Sequence, residues 1–303
     1  MERILKSFKD LFICEKPVKR HLMYVLLMIL PSIAATFAGI VDKETPKEVM
    51  VVLFALAVFF LFLSFVPGLY LLGFGMEFYE LRLKGEAGVP KITSELFVKG
   101  LKTLPLTIIW CIYFVAAMGI VIGFPVFVSI ASAMTIKDNP IAIAAIIVFA
   151  FFLITLLFIG LIILSSFMQY VFIKFVKKNK FRAEFINPFV LVDYIRKSFK
   201  DTIMVMLKMT LTGFIVNAVT SILGGIIIVF MMAFVFISVL LIPEKAGEDN
   251  IYHPIVILLM VPFSSLAGII QLYASSLVGF AAADQYVEIY KNKIEPTEND
   301  LDI

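Results

Sequence analysis

Histidine, cysteine and tryptophan are almost missing from this chain: two, two and one in 303 residues. Cys14 and Cys111 supply neither a disulfide framework nor a Cys-x-x-Cys pair, and read as free thiols. His21 and His253 stand alone, without acidic neighbours at ligand spacing, so no metal site is expected. Charge is scarce too, at 16%, where a soluble domain carries about a quarter. There is no phosphate-cradling glycine loop and no nucleophile beside a base. Nor do paired carboxylates sit inside an apolar run. Gly73-Phe74-Gly75 is too short for a dinucleotide fingerprint and lacks the strand before it; it reads as close helix packing. The expectation is a protein without catalytic residues, cofactor or metal, not an enzyme, and with no nucleic-acid partner.

What is abundant is apolar. Hydrophobic residues make up 61% of the chain, Phe alone numbers 31, and mean hydropathy is +1.03. No soluble core could hide that much apolar surface, so the chain reads as an all-α, multi-pass membrane bundle. Six apolar runs are long enough to cross about 30 Å of hydrocarbon: 21–41, 49–79, 105–134, 141–176, 203–242 and 255–283. The first is too long for a signal-peptide core and lacks a cleavage pattern, so it is expected to remain as a span. The second is interrupted by Pro67-Gly68, and the fifth holds Gly224-Gly225 at its middle.

Lys6-Ser7-Phe8-Lys9-Asp10 returns as Lys197-Ser198-Phe199-Lys200-Asp201, with a looser copy, Lys99-Gly100-Leu101-Lys102-Thr103, between them. The spacings are 93 and 98 residues, and each copy precedes an outgoing and a returning apolar run. Around each copy, apolar residues fall on one face at 100° per residue and basic residues on the other. Such a helix lies in a membrane interface. Three cytoplasmic amphipathic helices are therefore expected, over 1–13, the end of 80–104, and from the Asn187-Pro188 helix start to 201. The single membrane domain, 1–303, would be three copies of one unit, roughly 1–90, 91–186 and 187–290, with a polar tail at 291–303. Candidate helix breaks recur at one depth in the outgoing runs: Pro31, Pro125, and Gly224 with Gly225. In the returning runs, a charge follows nine residues after Gly68, Ser165 and Ser275: Glu77, Lys174 and Asp284.

Lys and Arg number six before the first span, five in 80–104 and eight in 174–200. The turns 42–48, 135–140 and 243–254 hold two, one and one. By the positive-inside rule, both termini and both long connections are expected on the cytoplasmic side of the cell membrane.

The stretch Gly68-Leu69-Tyr70-Leu71-Leu72, Leu83-Lys84-Gly85-Glu86, Val89-Pro90 and Phe97-Val98-Lys99-Gly100-Leu101-Lys102 resembles a prokaryotic membrane family, domain of unknown function 4013. Its pattern is a Gly-Tyr-Leu-Leu-like returning span, a Gly-Glu turn, a Leu-Pro pair and a Phe-x-x-Gly-Leu-Lys helix. Here the tyrosine lies one place later, and Val89 stands where leucine is usual. The resemblance covers about residues 66–105 and implies six spans with cytoplasmic interfacial helices. The family has no settled activity, so it brings no catalytic residues.

Two functions fit. The first is a non-enzymatic membrane protein that organises lipid or partner proteins, with Lys6, Lys9, Lys99, Lys102, Lys197 and Lys200 as candidate contacts to anionic headgroups. The alternative is a transporter or channel for a small or amphipathic solute, in which interrupted spans mark the binding site. Glu77, Lys174 and Asp284 are a candidate charged layer: either one cation between two carboxylates closing the bundle, or three separate headgroup contacts.

Overall fold

The computed structural model describes residues 2–40, 47–135, 139–240 and 252–295. Over these residues the chain is helical, without strands. The helices are α1 (Glu2–Leu11), α2 (Pro17–Ile40), α3 (Lys47–Leu63), α4 (Phe65–Lys84), α5 (Ser94–Thr135), α6 (Pro140–Lys178), α7 (Val190–Leu240) and α8 (Tyr252–Ile289). A 3-10 turn, Ala183–Phe185, precedes α7, and a π-helical turn, Tyr290–Ile294, ends α8. The expected turns at 42–48, 135–140 and 243–254, and the tail from 296, fall largely outside the described residues.

Among the described residues, five helices are long and apolar enough to cross a membrane: α2, α5, α6, α7 and α8. α3 and α4 together supply a sixth if the bent pair is one span. Only 6% of the apolar window of α6, and of α7, is buried within the protein. Chains of Phe, Ile and Leu left uncovered over that length are consistent with a multi-pass membrane protein.

The helix ends follow from local chemistry. Asn139 accepts the Ala142 amide at 3.1 Å and Pro140 takes the first position of α6, where its missing N–H costs nothing. α4 ends at Gly85, φ 79°, with its amide on Arg82 O and the Glu86 amide on Leu81 O. That pair of bonds is a Schellman closure, which needs a left-handed residue and so favours glycine. The 45° bend between α3 and α4 lies at Ser64, upstream of the expected Pro67-Gly68 break. Pro67 has no N–H to offer the carbonyl of Leu63, four residues back. The Ser64 hydroxyl bonds the Phe60 carbonyl at 2.6 Å, a back-bond that also bends helices.

One expectation is corrected by continuity. The basic segment at 94–104 is no separate surface helix but the first turns of α5, which runs on through Pro105. The third basic segment, by contrast, is set off from the rest of α7 by a kink at Ser198, whose dihedrals are non-helical (φ −135°, ψ 15°). Asn187-Pro188 form a turn just before that helix rather than its cap and first residue, with Asn187 accepting the Phe189 amide at 3.0 Å. Pro31 and Pro125 lie inside α2 and α5, and Gly224-Gly225 inside α7. None of the four sites ends its helix, so breaks at these positions are not seen. Neighbouring carbonyls can be re-satisfied by small local adjustments.

The chain divides into two compact units: 1–101 with 207–284, and 102–206 with 285–303. Within the first, Tyr24, Phe74, Phe78 and Phe280 form a cluster of rings with centroids 4.5–5.5 Å apart. Phe37, Leu53 and Ala57 join α2 to α3. Within the second, Tyr170 is fully buried against Phe167, Tyr194, Tyr286 and Tyr290. Buried Trp110 donates its indole N–H to the Phe185 carbonyl at 3.0 Å.

Candidate functional site

The repeated phrase presents one small residue inward in each copy. Ser7, Gly100 and Ser198 are all buried. Ser7 on α1 donates to Asp284 of α8 at 2.7 Å. Gly100 on α5 meets α4 so closely that an added Cβ would overlap the Leu69 carbonyl. Ser198 on α7 donates to the Tyr194 carbonyl at 2.8 Å and accepts from Thr202, which is 2.6 Å from the Tyr170 hydroxyl of α6. Phe199 beside it stacks on Phe167 of α6.

Five of the six lysines flanking those residues face outward. Lys6, Lys9, Lys102 and Lys200 are exposed. Lys197 is exposed but paired with Asp193 one turn back at 3.1 Å. Lys99 is half-buried and bridges Glu77 and Glu80 of α4. Exposed apolar residues lie beside the lysines: Leu5 and Phe12 in the first copy, Val98 and Leu101 in the second, Val192 and Phe199 in the third. Of the face expected on α1, Ile4 and Leu11 are buried against the protein while Leu5 and Phe12 remain outside. The helix thus has a protein side and an apolar outer side.

The three charges of the candidate layer each have a local partner. Glu77 takes Lys99. Lys174 takes Glu184 at 3.1 Å, rather than either carboxylate of the layer. Asp284 takes Arg82 at 3.3 Å together with Ser7. Arg82 escaped the sequence reading because it lies in a stretch expected to be a polar connection. Its side chain is 6% exposed and Asp284's is 27%. It also donates to the Glu86 carbonyl at 2.8 Å and lies over the Phe78 ring at 4.8 Å. The available signal was its spacing of four from Phe78 on one helix face.

In the second unit, Glu295 gathers the end of α8. It accepts from the Tyr290 hydroxyl at 2.5 Å and from Lys177 at 2.9 Å, with Lys178 at 3.9 Å. Burial pushes its carboxyl up, but the Tyr290 hydroxyl and the two lysines outweigh this and hold it below the usual glutamate range. Among the described residues, no group of three or more His, Cys, Asp or Glu could hold a metal ion.

The residues carrying the family resemblance build the α4–α5 joint. Gly68 to Leu72 lie on α4, Gly85-Glu86 close it, Val89 is buried and accepts Arg20 at 2.8 Å, and Phe97 to Lys102 open α5. No curated protein and no solved structure matches the chain. The family model described as "Protein of unknown function (DUF4013)" matches residues 56–225, more than half of the chain, and the chain belongs to that family.

Proposed function

We propose that this protein is a non-enzymatic, multi-pass protein of the cell membrane, built from three related units, that gathers anionic lipid headgroups along its cytoplasmic face. One observation carries the reading: in all three copies of the phrase a small residue packs inward, with exposed lysines and exposed apolar side chains on the outer side. Lysine above an apolar stripe is what a headgroup–acyl boundary accommodates. The repeat draws support from the order of pairing. The second phrase rests on α4, the third on α6 and the first on α8. Each therefore packs on the returning span of the copy before it, the first copy taking the last.

The test neutralises only exposed cations. A variant with Lys6, Lys9, Lys102 and Lys200 changed to Gln is purified in mild detergent beside wild type, and co-purified lipid is quantified. Anionic lipid per protein should fall severalfold while zwitterionic lipid stays level. Equal anionic lipid in both would leave the charges with a role in topology alone and overturn the reading.

A further inference from the structure

A cavity of about 300 Å³ lies where the loop joining α1 to α2 meets the segment joining α4 to α5. Its wall is strongly cationic: Lys16, Lys19, Arg20 and Lys91 against the single carboxylate of Glu15, with Met23 and Ile92 completing it. None of these is among the lysines that the repeat singled out. Among the described residues, Lys16, Lys19 and Lys91 form no ion pair. Like charges brought to one concave surface repel unless an anion joins them.

The two walls are pinned together. Arg20 donates to the Val89 carbonyl at 2.8 Å, and the Gly88 amide to the Asp10 carbonyl at 2.7 Å. Gly88, φ 91°, lies so close to Cys14 that a Cβ would sit 2.5 Å from the cysteine Cβ. Glycine there permits both the left-handed backbone and the approach. Lys16 itself takes φ 54°, unusual for a residue with a side chain. Pro17 opens α2 directly beside it, so the positive end of that helix adds to the field.

The surroundings favour a lipid over a free ion. From the cavity, Leu22, Met23 and Leu26 continue down α2 on the face of Lys19, and all three are exposed; Val18 nearby is 80% exposed. A phosphate held by the lysines would have its acyl chains against that stripe.

We propose that this cavity is a discrete binding site for the phosphate of an anionic glycerophospholipid, with the acyl chains lying along Leu22, Met23 and Leu26. The site depends on α2 being in the membrane, but not on the exposed lysines of the repeated phrases. Native mass spectrometry of the full chain, titrated with phosphatidylglycerol, phosphatidylcholine or inorganic phosphate, reads it directly. Expected is one tightly held phosphatidylglycerol, bound about tenfold or more above phosphatidylcholine, and undisturbed by millimolar inorganic phosphate. Lys19→Gln with Lys91→Gln should weaken it by about tenfold or more. Ile92→Trp, which fills the cavity without altering charge, should abolish it in a chain of unchanged helicity. Lys6→Gln with Lys9→Gln should leave it intact, so its failure and that of the phrase lysines are read separately. Equal binding of the two lipids, or retention of the lipid in both cavity variants, would overturn the site. Displacement by inorganic phosphate would overturn its assignment to lipid.

Discussion

Gly73 of α4 and Gly100 of α5 face each other with no room for a methyl group on either. A Cβ on Gly73 would overlap the Leu96 carbonyl, and one on Gly100 the Leu69 carbonyl. Both obstacles are backbone, which cannot swing aside as a side chain can. The small residue of the second phrase is thus fixed by contact distance, where Ser7 and Ser198 are held by hydrogen bonds.

Alanine at either glycine should therefore destabilise the chain. Alanine favours helix by about 1 kcal/mol over glycine, but overpacking costs about 1–3 kcal/mol, and here relief requires two helices to part. Thermal unfolding in detergent should show a lower midpoint for Gly73→Ala and Gly100→Ala. Gly75→Ala, with nothing within 4 Å of its Cβ, should be neutral or stabilising. A harmless Gly100→Ala would disprove the close contact.

Arg82 and Asp284 form an ion pair buried mainly on the arginine side. Asp284→Asn should cost about 3 kcal/mol, the low end for an orphaned buried partner because the carboxylate is partly exposed. Arg82→Met with Asp284→Leu should recover part of that loss, since no charge is then left uncompensated. Denaturant titration of Arg82→Met, Asp284→Leu and the double variant measures the coupling; strict additivity of the two single changes would show that the pair does not act as one.

Acid should release the end of α8. The Glu295 carboxyl is held below its ordinary range in the folded chain. Its contribution is therefore complete above the unfolded glutamate value and is lost as pH falls through the lower folded value. Limited proteolysis of the C-terminal tail should accelerate below the ordinary glutamate range in wild type. Glu295→Gln should show fast cleavage already at neutral pH, with no acid step. An acid step of the same size in both chains would assign the release to another group.

The topology expectation rests on the basic residues: 22, once Lys208 near the start of the fifth run and the tail are included, belong to the parts assigned to the cytoplasm, against four in the opposite turns. In a background lacking Cys14 and Cys111, cysteines at 45, 137 and 247 should react with an impermeant thiol reagent on intact cells. Cysteines at 87, 180 and 298 should react only after lysis. Labelling of 180 from outside would remove the six-span arrangement.

The six apolar runs were legible because a span is a property of composition over about 20 residues and needs no partner to be recognised. Capping depends on a few adjacent residues, yet the Asn-Pro pair expected to start a helix at 187–188 forms a turn, while the same pair at 139–140 does start one. The phrase around Ser7, Gly100 and Ser198 recurs in the sequence itself, and five of its six lysines lie exposed. The bond from Ser7 to Asp284 crosses 277 positions, and no local pattern announces such a partner. The burial of Arg82 was hidden for the same reason. A charge near a polar turn reads as solvated until the fold brings Asp284 and the Phe78 ring to it. The cationic cavity joins residues 15–23, a short turn and the start of α2, to residues 91–92 of the connection before α5, and neither stretch announces the other. Local composition and periodicity thus determined where helices run and which faces are apolar. Only tertiary packing decided which charges are neutralised by a neighbour and which converge on a cavity without one, because Coulomb interaction and desolvation depend on distance in space and not along the chain.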